Sequence, residues 1–326
     1  MHQKSVEEIL KVEHLKKYFT KKGLFSSKTT TVRAVDDVSF SLKKGEVFVL
    51  AGESGSGKST IAKLILKSIE LDSGKIFFED QEINNEQKNL KKIRMNCQMI
   101  HQDPYDSINP RMRIGNIVSE PLEIHNVGNK DERFRRVIEV LHEVKLEPAE
   151  EMVKKYPHTL SGGQRQRVVL ARALALNPKL IIADEPVSML DVSIRAEILE
   201  LMKEMQKKNN ISFIYITHDL ATARHFGQRI IILYLGKIVE MGPIDQVLVS
   251  PKHPYTQALI DAISEPDPEN LHREKKIRIN EPSDVDVYQG CRFRARCPYV
   301  IEKCKEEPNL EKVDDEHYAA CYVKLD

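Results

Sequence analysis

The amino-acid sequence predicts an α/β fold with a parallel sheet at its centre, and three observations lead to that prediction. Apolar runs without polar alternation, such as 180–183 and 212–216, are typical of parallel strands buried on both faces. Helical spacing of apolar residues over 194–205 separates these two runs. A glycine-rich loop lies between the apolar run Val47–Ala51 and the helical stripe that begins at Ile61. The order strand, loop, helix is that of a phosphate-binding unit.

Length and charge limit the class of protein. The chain has 326 residues, enough for one large domain or about two ordinary ones. Its 50 basic and 49 acidic side chains give a net charge of +1, which gives no support for broad electrostatic binding of nucleic acid. Residues 1–8 are polar and carry no apolar signal segment, and no apolar run approaches the length of a membrane span. We therefore expect a cytoplasmic protein, and any role at a membrane would depend on partner proteins.

The N-terminal part of the chain differs from the rest in its pattern. Residues 9–50 alternate apolar and polar positions in short runs, which predicts antiparallel strands with one face in water. Phe19 lies where an aromatic ring could stack on a purine. Tyr18 is its rival for that role, and core packing is the alternative for either ring. Residues 110–175 are predicted to be helical, with Asn129 and Glu132 as a helix cap.

The glycine-rich loop fits the pattern G-x-x-x-x-G-K-[ST]. Its glycines let backbone N–H groups turn toward an anion, and the helix N-terminus adds partial positive charge. Lys58 is expected to reach the β- and γ-phosphates of ATP, and Ser59 to offer its hydroxyl to Mg²⁺. The residues predicted to bind ATP here are Gly52, Glu53, Ser54, Gly55, Ser56, Gly57, Lys58, Ser59 and Thr60.

Polar side chains also end three later apolar runs, at Gln102, Asp184–Glu185 and His218. Because the carboxyl ends of parallel strands share one edge of a sheet, we expect these side chains beside the loop. Asp184 is predicted to hold Mg²⁺ with Ser59, and Gln102 to touch the metal and the attacking water. Glu185 is predicted to accept a proton from that water. His218 is predicted to bind the γ-phosphate and to hold the water and Glu185 in line. Taken alone, His218 would more often be a strand-end histidine without a catalytic role.

These motifs resemble those of the ATPase subunit of an ATP-binding cassette (ABC) transporter. Residues 160–164, Leu-Ser-Gly-Gly-Gln, match the family's signature sequence, and 188–191 match its D-loop. Gln102, His218 and Phe19 match the Q-loop, the switch histidine and the aromatic A-loop position. The resemblance assigns the signature residues to the ATP held by a partner subunit: Ser161, Gly162, Gly163 and Gln164. It assigns Asp191 to the D-loop.

The resemblance narrows to the oligopeptide/dipeptide importer branch. The segments that carry it are 102–112, 156–158, 253–256 and the ending 290–298. Of the two ATPase subunits in such importers, the second, often called the F subunit, is closer than the D type. The resemblance implies an ATPase that powers import of di- or oligopeptides through partner permeases. Similar importers carry peptides of different length or nickel, so the cargo stays open.

The family's architecture can be laid onto the chain. The resemblance implies a P-loop NTPase core with an antiparallel β subdomain, an inserted helical signature subdomain and a small irregular C-terminal extension rich in cysteine. We place the nucleotide-binding domain at 1–250, its helical subdomain at about 103–170 and the extension at 251–326. Within the extension, the polar segment 264–290 contains several prolines and is predicted to be a linker.

The resemblance also implies partners. Two such ATPase domains, identical or different, would sandwich two ATP molecules, each closed by the signature of the other domain. Two transmembrane permease subunits would bind them, and an extracellular peptide-binding protein would act through the permeases. These partners place the chain on the cytoplasmic face of the cell membrane as a peripheral protein, with no nucleic acid among its ligands.

Four of the five cysteines fall within the last 36 residues: Cys291, Cys297, Cys304 and Cys321. In a reducing compartment such clustering indicates a metal site rather than disulfides. The spacing C-x5-C-x6-C-x16-C is not the paired C-x2-C of most structural zinc sites. The branch resemblance implies a [4Fe–4S] cluster. A four-cysteine Zn²⁺ site is the alternative, as are reduced or disulfide-bonded cysteines.

The residues around these cysteines carry further expectations. Arg292, Arg294 and Arg296 are expected to offset the negative charge of thiolates around a cluster. Cys97 stands apart from the group and is predicted to be a buried, inert thiol.

Two other classes of function were weighed against the importer. Soluble cassette ATPases of DNA repair or translation usually carry long coiled-coil inserts or two cassettes, whereas this chain has one cassette and a short insert. A redox sensor driven by the cysteine tail would change its ATPase rate when the tail is oxidised, so equal rates in both states would exclude it.

Overall fold

The computed structural model of the protein describes residues 7–22, 29–262 and 288–325, and two β-sheets organise them. The smaller sheet contains β1 (Glu8–Lys22), β2 (Thr29–Lys43), β4 (Ser73–Phe78) and β5 (Gln81–Glu82). The larger sheet contains β3 (Val47–Ala51), β6 (Cys97–Ile100), β7 (Leu180–Asp184), β8 (Ser212–Thr217), β9 (Arg229–Tyr234), β10 (Lys237–Pro243), β11 (Glu311–Asp314) and β12 (His317–Ala319).

The helices lie between and around these strands. They are α1 (Lys58–Ile65), α2 (Gln87–Asn96), α3 (Ile114–Ile124), α4 (Lys130–Glu143), α5 (Ala149–Met152), α6 (Gly162–Leu174), α7 (Val192–Asn209), α8 (Leu220–Phe226), α9 (Ile244–Val249) and α10 (Pro254–Asp261). Most of the predicted linker, residues 264–287, lies outside the described residues. Within the described ranges, no helix is both long enough and apolar enough to span a membrane.

The larger sheet has the order β11-β12-β10-β9-β3-β8-β7-β6, and its strands from β9 to β6 run parallel. Every residue of β3 and β8 is buried, so the apolar runs predicted to be central strands are confirmed. The chain returns from β9 to β10 in an antiparallel hairpin at Gly236, whose φ of +82° is a conformation that glycine adopts without strain.

The smaller sheet is antiparallel, in the order β2-β1-β4-β5. Val12 in β1 lies between Phe40 in β2 and Ile76 in β4, and all three are buried. The predicted antiparallel strands over 9–50 are therefore confirmed for β1 and β2. The end of that segment behaves differently, because β3 leaves the smaller sheet and becomes a central parallel strand of the larger one.

Helices α3 to α6 form an insert between β6 and β7. The predicted cap of α4 is confirmed, since the Asn129 side chain accepts the N–H groups of residues 131 and 132 while Glu132 accepts the N–H of Asn129. Val137 and Leu141 on this helix are buried in the hydrophobic core. Phe134 is 54% exposed, because the buried face of α4 begins only at Val137.

The C-terminal extension joins the larger sheet through β12, which pairs with β10. Glu240 of β10 is fully buried at this junction. Its carboxylate accepts the backbone N–H of Lys252 at 2.7 Å and of His253 at 2.9 Å, and it lies 2.7 Å from Nε2 of His317. One carboxylate therefore ties the sheet, the start of α10 and β12 together.

Replacing Glu240 with alanine is expected to lower the free energy of unfolding by about 3–5 kcal/mol, because buried donors then lose their acceptor. Glu311→Ala in the exposed strand β11 is the matched control and is expected to cost no more than about 0.5 kcal/mol. Urea unfolding measures both variants. Equal losses would show that the buried carboxylate does not hold the junction.

Candidate active site

The glycine-rich loop connects β3 to α1 and needs glycine at two positions for steric reasons. Gly57 has a φ of +108°, and a Cβ atom there would lie 2.2 Å from the carbonyl oxygen of Ala34. Gly52 has a φ of +147°, and its Cβ would lie 2.3 Å from the carbonyl oxygen of Leu233. Neither carbonyl can move freely, because each belongs to the backbone of a strand. The loop is therefore held closely between the two sheets.

Lys58 lies at the centre of this loop and is only 6% exposed. Its ammonium group donates to the carbonyl oxygens of Gly52 and Glu53 at 2.7 and 2.9 Å, and to Oγ of Ser56 at 3.3 Å. Burial lowers the pKa of Lys58 from its ordinary value. A phosphate group that entered the loop could replace these acceptors with charged oxygens.

Ser59 and Asp184 meet beside Lys58, as predicted. The Ser59 hydroxyl donates to the Asp184 carboxylate. Burial raises the pKa of Asp184 from its ordinary value; the Ser59 hydrogen bond opposes the rise, and the charge of Glu185 adds to it. A hydroxyl and a carboxylate are hard oxygen donors of the kind that Mg²⁺ prefers, so this pair fits the predicted metal position.

Glu185 forms hydrogen bonds with the other two predicted strand-end residues, Gln102 and His218. Gln102 donates from Nε2 to one carboxylate oxygen at 3.0 Å, and Nδ1 of His218 lies 2.9 Å from the other. The Glu185 side chain is 15% exposed and that of His218 is 59% exposed, so the group opens to solvent on the histidine side. The backbone of Glu185 has a φ of +48°, a strained conformation for a residue with a side chain and one that is common at functional sites.

The two candidate rings for the purine behave differently. The Tyr18 hydroxyl donates to Asp36, and burial together with this carboxylate raises the pKa of Tyr18 to about 12. Phe19 is 41% exposed, with Nζ of Lys17 5.6 Å from its ring centroid. Tyr18 is therefore engaged with the protein, whereas the Phe19 ring is accessible to a ligand.

The signature residues form a second group at the N-terminus of α6. Ser161 accepts the N–H of Gln164 at 3.3 Å, and the Gln164 side chain accepts the N–H of Ser161 at 3.1 Å. This capping box leaves the first turn of α6 well defined. Gly163 approaches α7 closely, since a Cβ there would lie 2.6 Å from Cγ2 of Ile194. Gly162 is the first residue of the helix.

The D-loop, residues 188–191, leads into α7. The Ser188 hydroxyl donates to the carbonyl oxygen of Glu185 at 3.0 Å, which ties this loop to the strand-end carboxylates. Asp191 precedes the first residue of α7, and its carbonyl oxygen accepts the N–H of Arg195 at 2.8 Å. Its side chain makes no capping hydrogen bond to α7.

Two residues of the extension touch the phosphate loop, and the sequence analysis assigned neither of them to it. The Tyr255 hydroxyl oxygen accepts the backbone N–H of Glu53 at 2.9 Å. The Arg296 guanidinium donates to both carboxylate oxygens of Glu53, at 3.0 and 3.3 Å. Tyr255 lies in the segment 253–256, which resembles the importer branch, so the sequence indicated that this segment matters. The sequence of that segment did not indicate a contact with the phosphate loop.

The expected role of the arginines is wrong for two of the three. Arg296 pairs with Glu53 rather than with thiolates. Arg292 is buried, where it pairs with Asp36 and donates to the carbonyl oxygen of Leu235. Both side chains instead fix the extension to the nucleotide-binding part of the chain.

The four clustered cysteines come together in the structure. Cys291, Cys297, Cys304 and Cys321 line one small cavity beside His253 and Phe293. Burial raises the pKa of the thiols at 291, 297 and 321 to about 11. Among the described residues, no three side chains of His, Cys, Asp or Glu form a group that could hold a metal ion.

Cys97 lies elsewhere, in β6, and is buried as predicted. Burial raises its pKa well above the ordinary value, which disfavours the reactive thiolate.

Comparison with known proteins adds two family matches. Residues 35–188 match the family described as ABC transporter, and residues 239–304 match the family described as oligopeptide/dipeptide transporter, C-terminal region. Among curated relatives, the probable peptide ABC transporter ATP-binding protein y4tS of Sinorhizobium fredii is 43% identical, over 98% of this chain and 90% of its own length. The oligopeptide transport ATP-binding protein AppF of Bacillus subtilis is 43% identical, over 97% of this chain and 98% of its own length.

A solved structure also resembles the chain. It is a dimeric structure of a post-hydrolysis state of the ATP-binding cassette MJ0796 bound to ADP and Pi. It is 31% identical with a TM-score of 0.63, and the match covers 72% of this chain and 98% of that one. The predicted α/β fold class is confirmed by this likeness and by the two sheets described above.

Alanine at Gly57 is expected to lower the free energy of unfolding by about 3 kcal/mol or more, because its Cβ would collide with the Ala34 carbonyl oxygen. Gly55→Ala is the matched control. Its φ of +79° is also unfavourable, but no atom lies within 4 Å of the added Cβ, so about 1–2 kcal/mol is expected. Chemical denaturation compares the two variants, and equal stabilities would contradict the close approach.

Proposed function

The chain belongs to the ABC transporter family, in its oligopeptide/dipeptide branch, and on that premise we propose how its residues serve an ATPase subunit. It is an ATP-hydrolysing subunit that powers the import of di- or oligopeptides through partner permeases. The observation that best supports the residue roles is the Glu185 carboxylate, held between Gln102 and His218 beside the phosphate loop.

In the proposed ATP site, the phosphate loop binds the triphosphate and Lys58 exchanges its loop acceptors for the β- and γ-phosphates. The first loop residues Gly52–Gly57, together with Ser59 and Thr60, supply the backbone N–H groups and hydroxyls around it. Phe19 stacks on the purine, a role for which its exposed ring is free.

Ser59 and Asp184 would hold Mg²⁺, with Gln102 close to the same position. When bound, Mg²⁺ offsets the charge that develops on the phosphate oxygens. Glu185 accepts a proton from the attacking water, and His218 holds the γ-phosphate in line with that water. The hydrogen bonds that Gln102 and His218 donate to Glu185 hold both of its carboxylate oxygens in place.

The signature serves the ATP of a second subunit. Ser161, Gly162 and Gly163 lie at the N-terminus of the 13-residue helix α6, where backbone N–H groups and the helix dipole favour a γ-phosphate. Gln164 holds Ser161 through the capping box, and Asp191 contacts the partner subunit. The solved cassette MJ0796 is dimeric, which supports the pairing of two such subunits.

The remaining partners follow from the peptide-importer branch. We propose two transmembrane permeases, an extracellular peptide-binding protein that acts through them, and a peripheral position at the cytoplasmic face of the membrane. A groove of about 490 Å³ between the larger sheet and the helical insert, lined by Met99, Ser107 and Ile124 among others, is the proposed permease contact. The name of the relative AppF supports the F-type position in the ATPase pair.

The proposed division of the chain keeps a nucleotide-binding domain at 1–250, a helical subdomain at about 103–170 and an extension at 251–326. Helices α3 to α6 lie between two strands of the larger sheet, which supports a helical subdomain at about 103–170. The pairing of β12 with β10 makes the extension an integral part of that sheet rather than a separate body.

Glu185→Gln is expected to slow ATP hydrolysis by about 10²–10⁴-fold, because the amide cannot accept the proton of the attacking water. ATP binding is retained, since the recorded contacts of this carboxylate are to Gln102 and His218 rather than to the phosphate loop. Phosphate release by the assembled transporter and equilibrium ATP binding by the chain are measured together. Lys58→Ala is the comparison, and it is expected to lose ATP binding as well as hydrolysis. A Glu185→Gln variant that still hydrolyses ATP would show that another group accepts the proton.

We further propose that the four cysteines of the extension hold a [4Fe–4S] cluster, with Zn²⁺ as the alternative. Their thiols line one cavity but do not form a metal-binding group as they are placed, so the side chains would have to turn toward the metal. Soft thiolate donors suit both groups. Metal binding would have to displace the protons of these thiols into solvent, and the raised pKa values add to that cost. The proposed role is structural, since the cavity lies where the extension packs on the start of α10.

Protein purified without oxygen is expected to contain about four irons and four acid-labile sulfides per chain. One zinc without sulfide would support the alternative, and protein free of both would contradict a metal site. Cys297→Ser is expected to lose the metal because it removes one of the four ligands. Cys97→Ser, which changes a cysteine remote from the cavity, is the matched control and is expected to keep it.

A further inference from the structure

In the described part of the chain, the C-terminal extension makes hydrogen bonds to the phosphate loop at Glu53, both to its backbone and to its side chain. Tyr255 accepts the backbone N–H of Glu53 at 2.9 Å. Arg296 pairs with the Glu53 carboxylate through two hydrogen bonds of 3.0 and 3.3 Å. These contacts join residues more than 200 positions apart, and neither involves a residue of the proposed catalytic group.

Both contacting side chains are held by a cluster of aromatic rings. The ring centroids of Tyr234 and Tyr255 are 4.6 Å apart, and those of Tyr255 and Phe293 are 5.5 Å apart. Phe293 is 1% exposed. Arg296 donates to the Tyr234 hydroxyl at 3.4 Å, and its guanidinium lies 5.9 Å from the Phe293 ring. The arginine and the tyrosine therefore reach the loop from a packed support rather than as free surface chains.

The ion pair contributes little to folding stability, because an exposed pair gains little Coulomb energy in water. Glu53 is 45% and Arg296 is 25% exposed. The larger effect of the Glu53–Arg296 ion pair is on the binding of a ligand. Glu53 places a carboxylate in a loop that binds a polyanion, and an unpaired negative charge there would repel phosphate groups. The positive charge of Arg296 neutralises the Glu53 carboxylate.

Lys58 gives a second reason for the contact. In this structure the Lys58 ammonium donates to the carbonyl oxygen of Glu53. When Lys58 turns to a phosphate, that hydrogen bond is lost, whereas the contacts of Glu53 with Ser56, Tyr255 and Arg296 remain. The Tyr255 contact is to the backbone, so it holds the loop at Glu53 in both states.

We propose that Tyr255 and Arg296 are positioning residues of the ATP site: Tyr255 holds the backbone of Glu53, and Arg296 neutralises the Glu53 carboxylate, so that the phosphate loop accepts a triphosphate. The inference rests on the ATP site proposed above and deepens it. Affinity for ATP then depends on the C-terminal extension as well as on the nucleotide-binding part of the chain.

The test is a double-mutant cycle on the full-length chain. Titration calorimetry gives the Kd of ADP and of a non-hydrolysable ATP analogue, both with Mg²⁺. Arg296→Gln is expected to raise the Kd of the ATP analogue about 3–10-fold, and that of ADP by less, because ATP carries more negative charge. Glu53→Gln is expected to lower the Kd about two-fold, since Arg296 is then unpaired. The double variant is expected to return to within about two-fold of the wild-type Kd.

Each outcome decides for or against the proposal. A merely structural role for Arg296 would leave the double variant as weak as Arg296→Gln, and that result would overturn the charge argument. Should Arg296→Gln fail to fold, Glu53→Gln and Tyr255→Phe still test it. Weaker binding by Glu53→Gln, or unchanged binding by Tyr255→Phe, would count against it.

Two controls separate this proposal from the proposed function. Arg224→Gln breaks a comparable exposed pair with Asp245, 3.1 Å long and remote from the loop, and is expected to leave the Kd unchanged. Failure of the wild-type chain to bind ATP, or of Lys58→Ala to abolish binding, would overturn the ATP site itself.

Discussion

Close backbone approach around the phosphate loop is the constraint on which the rest of the structure depends. Gly52 lies against a carbonyl of β9, and Gly57 lies against a carbonyl of β2. The carbonyl oxygen of Ser56 also accepts the N–H of Gly236 in the turn between β9 and β10. Both sheets therefore meet at this loop, and any side chain at the two glycines would push them apart. The same absence of side chains leaves the loop's backbone free to surround an anion.

Hydrogen bonds within the protein fix the side chains of the proposed site. Oxygen atoms of the phosphate loop hold the Lys58 ammonium, and Gln102 and His218 hold the Glu185 carboxylate. In the proposed ATP site, phosphate oxygens take the place of the loop acceptors of Lys58. Side chains fixed in this way lower the cost of aligning a water molecule with a phosphate.

Much of the site could be predicted from the sequence, because its parts follow local rules. A strand end is visible in the sequence, and parallel strands bring their ends to one edge, so the grouping of Gln102, Glu185 and His218 was predictable. The contacts of Arg296 and Tyr255 with Glu53 were not. They join distant segments through the packing of an irregular extension, and no local periodicity records such docking.

The terminal hairpin of β11 and β12 has a consequence for association between molecules. Without β11 and β12, the β10 strand would be the open edge of a six-stranded sheet, with a row of unpaired N–H and C=O groups able to recruit another chain. The strand that replaces it at the edge, β11, is only four residues long, fully exposed and rich in charge, with Glu311, Lys312 and Asp314. A short, charged edge is a poor template for further strands. The extension that reaches the phosphate loop thereby also protects the protein against edge-to-edge aggregation.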